Sequence, residues 1–226
     1  TEGDLAVVDG DAAKVVPTSG TISAVLTGAD GLAKSTAGDV VLSGANTFTG
    51  GVTVDNGKVT LGNAAALGGA ANAVAVGAAG TVDVNGRSIA VASLAGAGAV
   101  TNADAVTAAT LTLSGVAATS TFSGVLSGNL GVVKTGAGIQ VLSGPNTFTG
   151  NVAVNAGTLA ARSDTALGAG AVAVNGGTLD LTGTAVTNAI TLNSGALVGG
   201  QVAIANITLV TGSVGTKLTG PGALTK

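Results

Sequence analysis

Cysteine, histidine, methionine, tryptophan and tyrosine are all absent from this chain of 226 residues. Without cysteine there is no disulfide framework and no thiolate nucleophile or metal ligand. Without histidine, the Ser-His-Asp and Cys-His arrangements are impossible. Aromatic residues are reduced to three Phe, too few to offer a stacking platform for nucleic-acid bases. Positive charge is equally thin: the eight basic residues are scattered, and no cluster is available to neutralise a phosphate backbone. Nucleic acid is therefore excluded as a partner.

Acids do not converge either. Asp30, Asp39, Asp55, Asp83, Asp104, Asp164 and Asp180 are isolated in the sequence, whereas glycan cleavage needs paired carboxylates. Asp83 and Asp180 stand in similar strand contexts and read as outward, solubilising residues. Gly-rich pieces such as Gly96-Ala97-Gly98 read as corners, since neither a helix start nor a lysine follows to make a phosphate cradle. No catalytic residue, cofactor or metal ligand is assigned, and the chain is read as not an enzyme. The one dense acidic stretch is Glu2, Asp4, Asp9 and Asp11. It reads as a solvated end that discourages edge pairing; a weak cation site, or an interface partner for Lys226, is the functional alternative.

What is present is small and apolar. Hydrophobic residues make up 46% of the chain, mostly Ala and Val, alongside 39 Gly. A core built from these must be narrow, because few large side chains can fill a wide one. A mean hydropathy of +0.63 with a net charge of −3 argues against disorder, which goes with low hydrophobicity and high charge. The charge-free runs between Lys58 and Asp83 and between Asp104 and Lys134 are broken by Gly, Asn, Thr and Ser. They are also too rich in Ala to span a bilayer as helices, so no membrane insertion is expected. The chain opens on Thr1 and shows no secretory leader, which reads as a processed chain or one cut from something longer.

The chain is organised around a repeated nonapeptide. Leu42-Ser43-Gly44-Ala45-Asn46-Thr47-Phe48-Thr49-Gly50 returns as Leu142-Ser143-Gly144-Pro145-Asn146-Thr147-Phe148-Thr149-Gly150, and 142 − 42 = 100. The match extends upstream to the segments ending at Lys34 and Lys134, and downstream to Ala66-Leu67-Gly68 and Ala166-Leu167-Gly168. This gives two imperfect modules, about 21–120 and 121–220, in a single domain over 1–226, with 1–20 as an N-terminal strand or cap. A truncated third copy, Thr219-Gly220-Pro221-Gly222-Ala223-Leu224-Thr225-Lys226, closes the sequence. Fixed-period self-similarity of this kind points to a repeat architecture.

Locally the period is two. Val40-Val41-Leu42, Val52-Thr53-Val54, Lys58-Val59-Thr60-Leu61, Val74-Ala75-Val76, Ser88-Ile89-Ala90-Val91, Val152-Ala153-Val154, Val172-Ala173-Val174 and Ile207-Thr208-Leu209 alternate apolar and small polar residues, the mark of half-buried strands. Asp55-Asn56-Gly57, Asn85-Gly86, Asn175-Gly176-Gly177 and Asn193-Ser194-Gly195 between them read as tight corners. Strands starting at Val152, Val172 and Ile190 recur at roughly the 20-residue spacing of a solenoid coil. The expected fold is all-β, a parallel β-solenoid of about ten coils stacked at about 4.8 Å. In it Asn46 and Asn146 hold a corner through backbone hydrogen bonds. Thr47, Thr49, Thr147 and Thr149 take outward strand positions, while Phe48 and Phe148 fill the core or cover a corner.

These residues resemble the passenger-associated repeat of bacterial autotransporters. The resemblance rests on the segment ending in Lys, then Leu-Ser-Gly-x-Asn-Thr-Phe-Thr-Gly, then Val-x-Val-x-x-Gly, at 31–61 and 131–160 with a partial copy at 220–226. It implies a right-handed parallel β-helix secreted across a Gram-negative envelope, outside the cell or on its surface. Two readings of function follow. The first is an extracellular structural subunit that polymerises head to tail with copies of itself into a surface or biofilm-matrix filament. Its joint would be formed by Gly3, Asp4, Leu5, Ala6, Val7 and Val8 against Pro221, Gly222, Ala223, Leu224 and Lys226 of a neighbour, the N-terminal strand completing the last coil. The second is an adhesin-type passenger segment acting in attachment or aggregation, with cell-surface or matrix polysaccharide as a further partner. Ice binding through Thr ladders is a third and weaker reading, because Thr47/Thr49, Thr110/Thr112 and Thr147/Thr149 do not recur on every coil.

Overall fold

Alternation produces the elements the sequence pattern calls for. In Leu32–Lys34, Val40–Leu42, Ile89–Val91 and Val152–Val154 the first and third residues are buried and the middle one is not, because successive side chains of a strand point to opposite faces. The computed structural model describes residues 16–116, 119–203, 206–220 and 223–225, and among them there is no helix. Every strand pairing is parallel and in a repeating register: Gly20 lies beside Val40, Leu32 beside Val52, Val152 beside Val172, and Ile190 beside Ile207. The chain is a β-solenoid of about ten turns, on the order of 50 Å long at the inter-strand spacing of a sheet.

Among the described residues three long ladders run along it, beside a short one of Ala185–Val186, 201–203 and 217–219. The first takes Gly20–Ile22, Val40–Leu42, 59–61, 81–83, Ala99–Asn102 and Val125–Gly128. The second takes Ile89–Val91, Ala109–Leu113, Leu130–Lys134, Val152–Val154, 172–174, 190–192, Asn206–Leu209 and Ala223–Thr225. The third takes Leu32–Lys34, 52–54, 73–76, Ser93–Gly96, Thr119–Phe122, Ile139–Leu142, Thr158–Ala161, 178–180, 196–198 and 213–215. Their inward residues stack in files. Leu111, Val132, Val152, Val172 and Ile190 form one, all almost fully buried. Each such side chain contributes about 1.5–3 kcal/mol over leaving it in water, and the sum grows coil by coil.

Several expected corners lie inside longer strands. Val52–Leu61 runs straight through Asp55-Asn56-Gly57, and Ile190–Ala203 runs through Asn193-Ser194-Gly195. The backbone bends there, with φ of 70° at Gly57 and 91° at Gly195, yet the bend stays in contact with the next coil: Asn56 pairs with Ala79 and Gly57 with Gly80. A corner repeated at the same place in each coil can keep its hydrogen bonds, so it need not end the strand.

A file of six glycines accounts for part of the glycine content. Gly115, Gly136, Gly157, Gly177, Gly195 and Gly212 stack at the corner between the second and third ladders. A Cβ on each later member would run into the carbonyl oxygen of the glycine one turn earlier. The coils approach so closely there that no side chain fits.

The two nonapeptide copies do not face the same way. Leu42 belongs to the first ladder, aligned with Ile22 and Leu61, and the Val52 to Val54 stretch that follows belongs to the third. Leu142 belongs to the third ladder, aligned with Phe122 and Ala161, and Val152–Val154 to the second. The copies are therefore one face out of phase. The partial third copy is not: Leu224 reaches Val132, its counterpart, through Ile207, Ile190, Val172 and Val152 on one ladder.

Candidate functional site

The best-built feature of the molecule is the corner formed by the nonapeptide. Asn146 is buried; its Oδ1 accepts from Leu126 N at 2.8 Å and its Nδ2 donates to Ala166 O at 2.7 Å. Asn46 makes the same pair of bonds, from Leu26 N at 2.9 Å and to Ala66 O at 2.6 Å. Each carboxamide thus stands in for a peptide group, tying its own coil to the coil before and the coil after. Thr47 N and Thr49 N supply the remaining links, to Leu26 O and Gly28 O. The segment is not a strand, in contrast to the expectation for Thr47 and Thr49. It is extended and its threonines are exposed, but a side chain has replaced one backbone rung. Phe48 and Phe148 are buried in the core beneath it.

Nothing in the local sequence marks Lys34 and Lys134 as inward residues, yet both are buried. Lys134 occupies an inward position in the second ladder, between Leu113 and Val154. A lysine fits an aliphatic file because its stem is apolar, provided the ammonium finds acceptors at the corner. Lys34 Nζ donates to Thr36 O, to Thr36 Oγ1 at 2.9 Å and to Asn56 O at 3.3 Å. Lys134 Nζ donates to Gly136 O. Burial pulls the pKa of both lysines below the ordinary range; nearby Asp39 opposes this at Lys34.

The sign of the resulting pH effect is fixed. The unfolded chain binds the proton at Lys134 more tightly than the folded chain, so stability rises with pH between the folded and unfolded pKa values. With no Tyr, Cys or His in the chain, few other groups obscure that window. We expect wild-type stability in urea to increase as pH approaches the ordinary lysine range, and Lys134→Met to flatten that rise. An unchanged slope in the variant would remove Lys134 as its source.

Gln140 is a second buried polar residue with no signature in the local sequence. It sits at an inward position of the third ladder, beside Leu159. Its Nε2 donates to Leu94 O at 2.8 Å and to Ser120 O at 3.2 Å, and its Oε1 accepts from Leu94 N at 3.2 Å. Here Thr119–Phe122 and Ser93–Gly96 share only the pair Phe122 and Gly96, and the carboxamide fills the gap in the ladder. Asp83 corrects an expectation: it is buried, not an outward solubilising group. Its Oδ1 accepts from Asn85 N at 3.0 Å and Ala103 N at 3.1 Å, closing one corner onto the next coil. Asp180 lies partly exposed, ion-paired with Arg162 at 2.5 Å. On the outside, Asn175 Nδ2 donates to Asn155 Oδ1 at 2.8 Å, and Asn193 Nδ2 to Asn175 Oδ1 at 2.7 Å, an amide ladder over three coils.

The fold leaves two small cavities, of which the first adjoins Lys134 and Gln140. One is lined by Ser120, Lys134 and Gln140 among others, the second by aliphatic residues including Val82, Val91 and Leu111, and each is about 10 Å³, room for one water. Among the described residues no three His, Cys, Asp or Glu lie close enough to hold a metal ion, and no helix is long and apolar enough to cross a membrane. Of the expected joint, Gly3, Asp4, Leu5, Ala6, Val7, Val8, Pro221, Gly222 and Lys226 lie outside the described residues. Ala223 and Leu224 belong to the last strand, in register with Asn206 and Ile207.

A parallel β-solenoid whose corners are held by a recurring asparagine is thus the class of protein in hand, and its repeat is a known one. Residues 32–61 and 132–161 match the passenger-associated-transport-repeat family, so the chain carries two copies of that repeat. It is 37% identical over 141 residues to the adhesin BmaC autotransporter of Brucella suis biovar 1 (strain 1330). That match takes in 62% of this chain and 4% of the relative's length. No solved structure matches the chain.

Proposed function

We propose that this chain is a stretch of the surface-displayed passenger of an adhesin on a Gram-negative bacterium, serving attachment by holding an extended, stiff shape rather than by catalysis. The similarity to an autotransporter adhesin, together with the paired transport repeats, is the observation that carries this reading. The burial pattern supports it. The residues the two repeats share most closely (Leu42 and Leu142, Asn46 and Asn146, Phe48 and Phe148, Lys34 and Lys134) point inward, so what recurs is the means of holding coils together. The exposed threonines of the two copies lie on different faces, so they do not line up as one ligand stripe. Adhesive contacts then belong to the outer residues that differ between copies.

Beads coated with the purified chain should be retained saturably on host-cell or polysaccharide-coated surfaces, and soluble chain should compete. Retention no greater than that of bare beads would count against it. A head-to-tail polymer of the chain is the second reading, since an open strand edge can accept another strand. Electron microscopy separates the two, since a polymer gives long thin fibres and a monomer gives short rods.

A further inference from the structure

The sequence contains three Asn-Gly pairs, at 56–57, 85–86 and 175–176, and the fold places them in three different chemical situations. At the second, the Gly86 amide donates to Asn102 Oδ1 at 2.8 Å, and Asn85 Nδ2 donates to Leu61 O at 3.3 Å. At the third, the Asn175 carboxamide is held from both sides in the outer amide ladder, by Asn155 and Asn193. At the first, the Gly57 amide lies 2.8 Å from the Oδ1 of its own neighbour, Asn56. That places the Gly57 nitrogen against the side-chain carbonyl it would attack. Among the described residues nothing holds Asn56 Nδ2, and the residue is half-exposed to water.

We propose that Asn56-Gly57 is a built-in site of spontaneous deamidation. The Gly57 peptide nitrogen gives its proton to a solvent base and attacks Asn56 Cγ. The new N–Cγ bond closes a five-membered succinimide; the Cγ–Nδ2 bond breaks, and the nitrogen leaves as ammonia with a proton from water. Water then opens the ring at either carbonyl, leaving aspartate or isoaspartate, with no change of oxidation state. The proximity of nucleophile and carbonyl is what singles this pair out.

The consequence falls on the corner that holds Lys34. Asn56 O is one of the acceptors of the buried ammonium, so deamidation puts a carboxylate beside a lysine bonded only to neutral oxygens. The isoaspartate route adds a methylene to the backbone of Val52–Leu61 where the register already shifts, between Val54 and Asn56. The second copy has Ala156 at the position of Asn56, so only one of the two repeats can be marked.

The test is peptide mass spectrometry of the whole native chain aged at mildly alkaline pH, with isoaspartyl methyltransferase labelling as a second readout. Asn56 should convert at least about tenfold faster than Asn85 and Asn175, because its nucleophile and carboxamide already lie side by side, and urea should erase most of that ranking. Gly57 cannot be exchanged as a control, because a Cβ there would stand 2.6 Å from the carbonyl oxygens of both Gly38 and Thr36. Asn56→Gln keeps the backbone acceptor for Lys34 and should abolish the early product. A native chain in which Asn85 or Asn175 converts first, or in which all three stay intact, overturns the proposal. Persistence of the ranking in urea overturns it equally, since the fold would then not be its source.

Discussion

Asn146→Ala should lower the stability of the chain by about 2–5 kcal/mol, the cost of leaving two buried backbone groups without partners. The groups are Leu126 N–H and Ala166 C=O, which otherwise meet Asn146 Oδ1 and Nδ2. Both residues are fully buried, so water cannot replace the lost bonds without opening the coil. Asn46→Ala should cost a similar amount, because Leu26 N and Ala66 O depend on it in the same way. Asn146→Asp separates the two bonds: it keeps the acceptor for Leu126 and turns a carboxylate toward Ala166 O. A carboxyl group there is favoured in its protonated form, which raises its folded pKa above its unfolded one. The aspartate variant should therefore gain stability as pH falls and lose it as pH rises through the folded pKa. Urea denaturation followed by circular dichroism reads all three variants. A loss under about 1 kcal/mol for either alanine variant would mean that the corner relaxes to satisfy itself.

That asparagine was legible because the nonapeptide repeats it, and a corner in a solenoid is the natural use for a buried carboxamide. The period-two segments were legible for a similar reason: Val, Ile, Leu and Thr alternate through Val40–Leu42 and Val152–Val154 with little else competing for the pattern. Other features left no such trace. Leu32–Lys34 and Leu130–Lys134 end in lysine, which reads as a surface residue, and nothing local says that Lys134 enters the file between Leu113 and Val154. Gln140 replaces the Val40 of the first copy, and one substitution does not announce that a ladder has opened two coils away at Leu94. Asp83 looks like any strand-end acid until Ala103 of the next coil is placed above it. Each of these is a contact between coils, between residues far apart in sequence, and period-two alternation is silent about which residue lies above which.

The phase of the two repeats belongs to the same category. An interval of 100 residues suggests a whole number of coils, and hence copies facing the same way. The coils differ in length, however: Ala99 reaches Val125 across its turn while Ile190 needs only to reach Ile207. The first of these coils takes 125 − 99 = 26 residues and the second 207 − 190 = 17, so an interval of 100 need not return to the same face. The repeat is thus kept by its inward hydrogen bonds and tolerates rotation about the axis. This is expected if its residues serve the stack and not a ligand on one side.

Gly195→Ala should disrupt the stack well beyond the effect of the same substitution at Gly183, an open position with a similar backbone. Two penalties coincide at that position. The backbone φ is 91°, a conformation that costs a non-glycine residue about 1 kcal/mol or more. The added Cβ would also fall on the Gly177 carbonyl oxygen, with Gly176 C at 2.9 Å, and neither atom can yield because both belong to the backbone of the coil before. Gly183→Ala isolates the first penalty, since φ there is 83° and nothing lies within 4 Å of the added Cβ. The control should lose about 1 kcal/mol, and Gly195→Ala roughly 3 kcal/mol or more, as coils are forced apart along a file that runs from Gly115 to Gly212. Because each coil rests only on its neighbours, the damage should be local: limited proteolysis should cut first around 177–195 in the variant and not in the control. Equal losses in the two variants would show that conformation alone, and not the approach of one coil to the next, sets the need for glycine at this corner.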